Sequence, residues 1–398
     1  MKPVSTLENS FSLGDRDRSD GCPGAQKMHH ANDGAIGRVR VAGGHLTPAG
    51  WKALAAMARD LGDGDIHMTT RGNLQIRGIS DEDTFTQEVI SSGFLPSRAH
   101  DKVRNIIASP MDGEIADLVR ELDRALLASE KVTGLSGRTL FGLDDGSATI
   151  FAHEVDFGAI RVNDVFYLVL GGTLTGVQMN HDQVAASIVA IAEKWQEIRS
   201  DAWRVKERPE KRNDLIRVLD GEVTFTAPPN IPPSHDRPIG WIDGENGVTL
   251  VGAVRFGVVP ADLADLIAAT GKKSTVTPWH RIVIHGFTEA EAEEAVKRLA
   301  PVGMIFDADS PWLRVTACTG LPECQKGKSN TRRDAIQLVE SGSAPEGLVH
   351  FVGCERRCGH PLEDHTEYLA TGDGEYEVNK VKLSCCLLYT SDAADDTP

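Results

Sequence analysis

The chain has 398 residues, of which 40% are hydrophobic and 25% are charged, and its formal net charge is −16. This length allows two or three domains with a sizeable core, and the composition is that of an ordinary globular protein. The negative charge argues against general binding to nucleic acid or to a membrane surface. We therefore expect neither nucleic acid nor a membrane among its partners.

The N-terminal segment, MKPVSTLENSFSLGDRDRSD, is polar and has no apolar stretch of the kind found in secretory signals. No apolar run approaches the roughly 18 residues that a membrane-spanning helix needs. Seven cysteines are an odd set in a large chain without a signal, which fits reduced thiols better than a disulfide framework. These features predict a cytoplasmic location.

Residues 37–79 predict a strand, a turn, a helix, a glycine-containing loop and a second strand. Thr47 can cap the start of the helix, and Pro48 suits its first position because the proline ring fixes φ near the helical value. Apolar residues then recur at helical spacing, at Trp51, Leu54, Ala58 and Leu61. This unit therefore combines one amphipathic helix with two strands.

The second strand of this unit is predicted to run from His67 to Arg77, because polar and apolar side chains alternate along it. Its polar face would carry His67, Thr69, Arg71, Asn73, Gln75 and Arg77. Arg38 and Arg40 repeat the pattern on the preceding strand. Such a face either meets solvent, which is the commoner case, or lines a ligand site. Arginine suits a carboxylate ligand because its planar fork binds both oxygens.

A second unit, residues 251–287, repeats the order of the first, and its TPWHRIVIHG aligns without a gap with TTRGNLQIRG. Pro260 would open its helix. The likeness continues downstream, where VRNIIASP in the first half corresponds to LRVTACTG in the second. Residues 227–238 contain five prolines and are predicted to link the halves. Two related halves of mixed strands and helices predict an α+β protein with pseudo-twofold symmetry.

Four cysteines form two close pairs, C-x5-C at Cys318 and Cys324 and C-x3-C at Cys354 and Cys358. Four thiolates converging from two loops are what a 4Fe–4S cluster requires. Structural zinc is the main alternative, although zinc knuckles usually space their cysteines by two to four residues. Unrelated buried thiols are a third possibility. We interpret the separate Cys22 as a buried thiol.

The cysteine pattern, with TTRGNLQ and VRN upstream, resembles the siroheme-dependent sulfite and nitrite reductases over residues 22–383. The resemblance implies a duplicated architecture with paired ferredoxin-like half-domains. It implies these parts: a first ferredoxin-like half-domain (20–90), a first nitrite/sulfite reductase-like α/β domain (91–226), the linker (227–238), a second half-domain (239–298) and a cluster-bearing domain (299–385). It further implies that Cys358 links the cluster to the siroheme iron. Arg40, Arg71 and Arg104 match the arginines that hold the carboxylated macrocycle or its anionic ligand.

One departure from the reductase pattern bears on function. The reductases carry a K-F-K-type pair of lysines that meets sulfite or nitrite, whereas LSGRTLFGLDD has Arg138 and Leu140 in those places. The motifs CPGA, DGAIGRVRVAGG, GRTLFGLDDG and GCERRCGHP resemble the precorrin-3B synthase family of aerobic cobalamin biosynthesis. That resemblance implies precorrin-3A as substrate, oxygen-dependent hydroxylation with lactone formation, and a mononuclear non-haem iron besides the cluster. Arg138 would help the other arginines to bind the substrate.

Three hypotheses follow: a precorrin-3A monooxygenase, a siroheme-dependent reductase of sulfite or nitrite, and a non-enzymatic binding protein with zinc or an iron–sulfur cluster. No H-x-[DE] pattern singles out ligands for the non-haem iron. No G-x-G-x-x-G motif follows a strand, so electrons should come from a separate reductase or ferredoxin. The segment CLLYTSDAADD looks like the translation of an adapter used in sequencing libraries, or else a disordered polar tail. Residues 386–398 are therefore predicted to carry no function.

Overall fold

The computed structural model describes residues 20–244 and 247–382. The predicted adapter segment, residues 386–398, and the last residues of the predicted cluster-bearing domain lie outside the described residues. Within these ranges the chain is an α+β protein with four sheets and helices packed against them. No helix in the described ranges is long and apolar enough to cross a membrane.

The first repeat unit and the segment after it supply eleven strands and five α-helices. The first unit contains β1 (His29–Ala31), β2 (Gly34–Val39), β3 (His45–Leu46), α1 (Pro48–Leu61), β4 (Asp65–Met68), β5 (Leu74–Ile79) and α2 (Glu82–Ser91). The segment after it contains β6 (Ile106–Ala108), α3 (Gly113–Ala128), β7 (Phe141–Asp144), β8 (Phe157–Val162), β9 (Val165–Leu170), β10 (Thr173–Met179), α4 (His181–Ile198), α5 (Arg212–Ile216) and β11 (Thr224–Phe225).

The second half supplies the remaining elements of the described chain. They are β12 (Gly240–Gly244), β13 (Gly247–Ala253), β14 (Val258–Pro260), α6 (Ala261–Ala269), β15 (Ser274–Val276), β16 (Arg281–Phe287), α7 (Glu289–Leu299), β17 (Val315–Ala317), α8 (Thr331–Glu340), β18 (Leu348–Val352), β19 (His365–Gly372) and β20 (Glu375–Val381). The predicted linker, residues 227–238, forms neither helix nor strand. The proposed domain boundaries stay predictions.

The helix predicted after Thr47 is confirmed as α1. Thr47 Oγ1 accepts a hydrogen bond from the Gly50 N–H at 3.1 Å, which satisfies one of the unpaired donors at the start of the helix. Trp51 is fully buried, and its Nε1 donates to Ser274 Oγ at 2.7 Å in the second unit. The apolar face of α1 packs against α6, so this helix joins the two halves.

The prediction of a single strand from His67 to Arg77 is wrong, because the structure forms an antiparallel hairpin of β4 and β5 there. Gly72 has a φ of +64°, and its N–H donates to the Thr69 carbonyl at 3.0 Å. Glycine adopts this left-handed conformation at little cost, so it closes the tight turn. Arg71 consequently lies in a turn and not within a strand.

The second unit repeats this turn with different residues. His280 has a φ of +61° at the position of Gly72, and Trp279 takes the position of Arg71. A second pair of turns also corresponds, since Gly43 and Phe256 have φ values of +62° and +56° before the two helices. The predicted pseudo-twofold relationship therefore extends to individual backbone angles.

Each unit supplies one strand to the sheet of the other unit. The first sheet has the order β1-β2-β5-β4-β14, in which β14 comes from the second unit. The second sheet has the order β12-β13-β16-β15-β3, in which β3 comes from the first unit. Buried side chains of both units form a single hydrophobic core. The two half-domains are therefore one body and not two independently closed sheets.

Two further sheets complete the fold. A six-stranded sheet, ordered β11-β10-β9-β8-β7-β6, packs against α3 and α4, and a four-stranded sheet, ordered β17-β18-β19-β20, packs against α8. The related motifs VRNIIASP and LRVTACTG supply β6 and β17, and each of these strands pairs in parallel with the next strand of its sheet. The parallel pair β17–β18 positions the cysteines.

Candidate functional site

The two cysteine loops leave the same edge of the four-stranded sheet. Because β17 and β18 are parallel, their carboxyl ends are neighbours, with Ala317 opposite Phe351. Cys318 follows β17 directly, and its N–H donates to the Phe351 carbonyl at 2.9 Å. Cys354 follows the end of β18 by two residues. The sheet thus brings together two sequence-distant cysteine pairs.

Glycine allows the two loops to approach closely. A Cβ atom on Gly353 would lie 3.3 Å from the Gly327 Cα and 3.5 Å from Cys318 Sγ. The Gly353 N–H donates to Cys318 Sγ at 3.1 Å, so the second loop also contributes a hydrogen bond to the sulfur of the first. Hydrogen bonds to cluster sulfurs are one means by which a protein sets a reduction potential.

The four predicted cluster cysteines line one cavity. Burial, together with the neighbouring thiols of Cys318, Cys354 and Cys324, raises the pKa of Cys358 to about 12. Burial likewise raises the pKa of Cys318. Four neighbouring, partly buried thiols become thiolates when a bound metal centre compensates their charge. The donor set therefore fits a 4Fe–4S cluster, with Cys318, Cys324, Cys354 and Cys358 as its ligands.

A second cavity, which we call the arginine cavity, begins where the Cys358 loop continues. One wall is formed by residues 359–362, directly after Cys358. Its other lining residues combine cationic, aromatic and apolar side chains, namely Thr70, Arg71, Leu140, His153, Arg204, Arg237, Pro278, Trp279, His280, Leu313, Thr316 and Leu348. The arginine cavity is thus adjacent to the cysteine cavity, and it combines cationic side chains with aromatic and apolar ones.

Arg71 is the one member of the predicted set of four arginines that lines the arginine cavity. Its Nη1 donates to the Gly137 carbonyl at 3.2 Å and lies 3.9 Å from Cys22 Sγ. The hairpin turn between β4 and β5 projects it there, because Thr69 Oγ1 accepts from both the Arg71 and the Asn73 N–H groups. Cys22 is buried, as predicted.

Arg40 and Arg138 gather near Arg71 around the segment that contains Gly137. Arg40 Nε donates to Asn105 Oδ1 at 2.9 Å, and burial lowers the Arg40 pKa to about 10, an effect to which nearby arginines add. The Arg138 guanidinium lies 4.2 Å from the ring centroid of Trp203. Neither of these two arginines lines the arginine cavity itself.

Arg104 lies near Arg40 but apart from the arginine cavity. Its guanidinium forms two hydrogen bonds with the Asp123 carboxylate, at 2.7 and 2.8 Å, and a third with the Phe94 carbonyl at 2.8 Å. Arg104 and Arg40 line one surface groove, which does not include Arg71. Because the Arg104 guanidinium bonds to Asp123 and Phe94, this arrangement gives no support to the predicted contact with a macrocycle.

Sequence reasoning missed three residues of the arginine cavity. Trp279 corresponds to Arg71 in the gapless alignment of the two units, which was the available signal. Arg237 comes from the proline-rich segment and forms an ion pair with Glu363. Burial lowers the Arg237 pKa, and the negative charge of Glu363 opposes this effect. His153 is stacked against Trp279, with ring centroids 6.0 Å apart.

His153 is held in its neutral form. Burial lowers its pKa to about 3, and the positive groups of Arg237 and His235 contribute to the shift. At neutral pH its imidazole carries one N–H donor and one acceptor nitrogen. It can therefore hydrogen-bond a ligand without adding charge to the cavity.

Leu140 lines the arginine cavity at the position that the reductase pattern gives to a lysine. Its side chain is buried and apolar, and its backbone N–H donates to Asp156 Oδ2 at 2.9 Å. An apolar group here supplies no cationic contact for a small oxyanion. The wall suits instead the hydrocarbon surface of a larger ligand.

Comparison with known proteins agrees with these observations. Residues 29–85 match the nitrite/sulfite reductase ferredoxin-like half domain. Precorrin-3B synthase of Sinorhizobium sp is 26% identical over 370 residues, which cover 86% of this chain and 79% of that protein. The sulfite reductase [NADPH] hemoprotein beta-component of Methylobacterium sp. (strain 4-46) is 24% identical over 429 residues, covering 86% and 71% respectively.

Among solved structures, the NirA protein of Mycobacterium tuberculosis is similar, with a TM-score of 0.66 and 18% identity over 80% of this chain and 68% of that one. At this identity the likeness establishes the fold. The predicted fold class is confirmed. The predicted resemblance to precorrin-3B synthase and to the nitrite/sulfite reductases is confirmed as well.

Proposed function

We propose that the chain is a precorrin-3B synthase, a monooxygenase that hydroxylates precorrin-3A with oxygen and forms a lactone on it. The observation that carries this proposal is the arginine cavity, in which Arg71 and Trp279 stand beside the Cys358 loop and Leu140 replaces a lysine. Precorrin-3A is a polycarboxylate with a wide flat ring system. Cationic side chains on one part of the wall and apolar ones on another suit such a molecule.

The side chains of the cavity have distinct roles in this proposal. Arg71 binds a substrate carboxylate through its planar fork, with Arg40 and Arg138 adding positive potential from behind. Trp279 and Leu140 cover the ring surface and exclude water, while neutral His153 offers a hydrogen bond. When bound, the 4Fe–4S cluster would supply single electrons and the non-haem iron would supply oxygen chemistry.

We further propose that the electrons come from a separate acidic protein such as a ferredoxin. Beside the cysteine cavity Lys326 and Lys328 are exposed and Arg356 lines the cavity itself, so these bases outnumber the exposed acid of the same loops, Glu355. Opposite charges accelerate association and orient the partners, and the effect weakens with salt. Reduction of the protein by an acidic donor should therefore slow as ionic strength rises.

A siroheme-dependent reductase of sulfite or nitrite is the second candidate. It is favoured by the sulfite reductase relative, which covers the same 86% of this chain as the synthase does. In that case a cavity beside Cys358 would hold siroheme as a prosthetic group and not a substrate. The replacement of a cationic contact by Leu140 argues against it.

The deciding experiment uses protein purified without oxygen and reduced chemically. We expect it to convert precorrin-3A to a hydroxylated lactone only when oxygen is admitted, and to contain no siroheme absorption. Turnover of sulfite or nitrite by protein with bound siroheme, and no oxygen-dependent change in precorrin-3A, would instead establish the reductase.

A further inference from the structure

Asn105, directly before β6, is a fully buried polar residue at the centre of a hydrogen-bond network. Its Oδ1 accepts hydrogen bonds from Arg40 Nε and from Asn73 Nδ2, both at 2.9 Å. Its Nδ2 lies 2.8 Å from the Gly137 carbonyl oxygen and 3.1 Å from that of Thr139. Only a side chain that accepts at one end and donates at the other satisfies all of these groups, and a primary amide has this property.

Two arms of this network reach Arg71. The Gly137 carbonyl that accepts from Asn105 also accepts from Arg71 Nη1, at 3.2 Å. Asn73 follows Arg71 by two residues in the hairpin turn, and the N–H groups of both residues donate to Thr69 Oγ1. Asn105 is therefore bonded both to the turn that carries Arg71 and to the carbonyl group that the Arg71 guanidinium contacts.

The start of a parallel strand pair in this fold does not require an asparagine. The Asn105 carbonyl accepts from the Phe141 N–H at 2.8 Å, where β6 begins to pair with β7. In the second half the Arg314 carbonyl accepts from the Val349 N–H at 2.8 Å, at the corresponding point of the pair β17–β18. Arg314 is only partly buried. The buried amide therefore occurs in the half that supplies Arg71 to the arginine cavity.

The network is costly to leave incomplete. Arg40 and Asn73 are 4% and 1% exposed, so bulk water does not replace the hydrogen bonds that they form with Asn105. Without the amide, the hairpin turn and the Gly137 segment lose the group that joins them. A shift of either one displaces the Arg71 guanidinium.

We propose that Asn105 is a positioning residue, which holds the Arg71 guanidinium at the wall of the arginine cavity for a carboxylate of the substrate. The inference rests on the proposed function for the identity of that substrate, and on the hydrogen bonds of Asn105 for the position of Arg71. A misplaced guanidinium keeps its charge but loses the bidentate geometry that a carboxylate requires. Asn105 does not line the cavity itself, so it acts through Arg71.

A double-mutant cycle distinguishes this role from a general contribution to stability. Precorrin-3A is titrated into anaerobic wild-type protein, Asn105→Ser, Arg71→Ala and the double variant. We expect Asn105→Ser to weaken binding by about tenfold when Arg71 is present, and by less than about twofold when Arg71 is already alanine. Serine adds no charge beside the arginines, but it is too short to join both sides of the network. Equal losses in both backgrounds, or no loss in either, overturn the proposal.

A matched control and a milder variant accompany the cycle. Asn180→Ser is the control, because Asn180 caps the start of α4 and serine caps a helix about as well, so binding should equal that of wild type. Asn73→Ser replaces Asn105→Ser if the latter does not fold, since it removes only the arm to the hairpin turn. It should weaken binding only while Arg71 is present, and a loss that is independent of Arg71 overturns the proposal.

A spectroscopic measurement does not depend on the substrate. In protein that contains isotopically labelled arginine, the side-chain NMR signal of Arg71 is identified by its loss in Arg71→Ala. It should shift in Asn105→Ser and stay in place in Asn180→Ser, and an unchanged signal in Asn105→Ser overturns the proposal. The outcomes also separate the two proposals. A shifted signal in protein that does not bind precorrin-3A supports the role of Asn105 and removes the proposed function, whereas binding of precorrin-3A that Asn105→Ser leaves unchanged does the reverse.

Discussion

Arg71 offers the most direct test of substrate binding at a single residue, because it lines the arginine cavity from a hairpin turn. A hydrogen bond to a charged group contributes about 1.5–3 kcal/mol, and each 1.4 kcal/mol is about a factor of ten in affinity. Arg71→Ala should therefore weaken precorrin-3A binding by roughly ten- to a hundredfold. Arg71→Lys should recover only part, because an ammonium cannot form the bidentate pair.

Equilibrium titration of precorrin-3A into the anaerobic protein measures this effect. Arg59→Ala is a suitable control, since Arg59 is half-exposed and forms ion pairs with Asp262 and Asp265 away from the cavity. Equal affinities for wild type and Arg71→Ala would remove Arg71 from the binding site.

The sequence could not indicate which of the predicted arginine side chains are oriented towards the cavity. Arg71 and Arg104 match the same superfamily pattern, yet one lines the cavity and the other pairs with Asp123 of α3. That choice depends on a tertiary partner that lies outside the motif. Arg237 was missed for a related reason, because a proline-rich segment predicts a linker and says nothing of what the linker contacts.

At the level of secondary-structure elements, the parallel pair β17–β18 should determine whether the cluster forms. Cys354→Ser removes one of four ligands, so we expect loss of the cluster's iron and sulfide and a less stable second half. Cys22→Ser is the matched control, because Cys22 is a cysteine that lies outside the cysteine cavity. Stoichiometric zinc with no sulfide in wild type would replace the cluster assignment, and unchanged iron and sulfide in Cys354→Ser would remove this ligand.

Helix α1 was predicted correctly, whereas the strand after it was not. The Thr47 cap and the apolar spacing are local properties, which depend only on residues that are close in the sequence. The alternation from His67 to Arg77 continues through the turn, so periodicity alone cannot distinguish a long strand from a hairpin. Gly72 was the available indication, since an isolated glycine within a strand pattern marks a bend or a close approach.

For the molecule as a whole, the repeat was visible in the sequence but the exchange of strands was not. β3 and β14 have two and three residues, too few for their sequence to specify a partner sheet. Their pairing follows from the packing of α1 against α6, which places each short strand at the edge of the other unit's sheet. The consequence is a shared hydrophobic core that neither half could bury alone.

This shared core predicts what happens when the chain is cut between its halves. A protease recognition sequence inserted after Asn230, which is exposed in the predicted linker, should allow cleavage without separation of the fragments. Both should elute together from a gel-filtration column in native buffer and separate only in denaturant, because parting them would unpair β3 and β14 and expose the apolar faces of α1 and α6. Uncleaved protein with the same insertion controls for the inserted residues.

Fragments that separate in native buffer would mean that the exchanged strands and the shared core contribute little, and that the halves are joined mainly by the linker. We also expect the cleaved pair to retain the cluster, because all four cysteines of the predicted cluster lie on the fragment downstream of the cut.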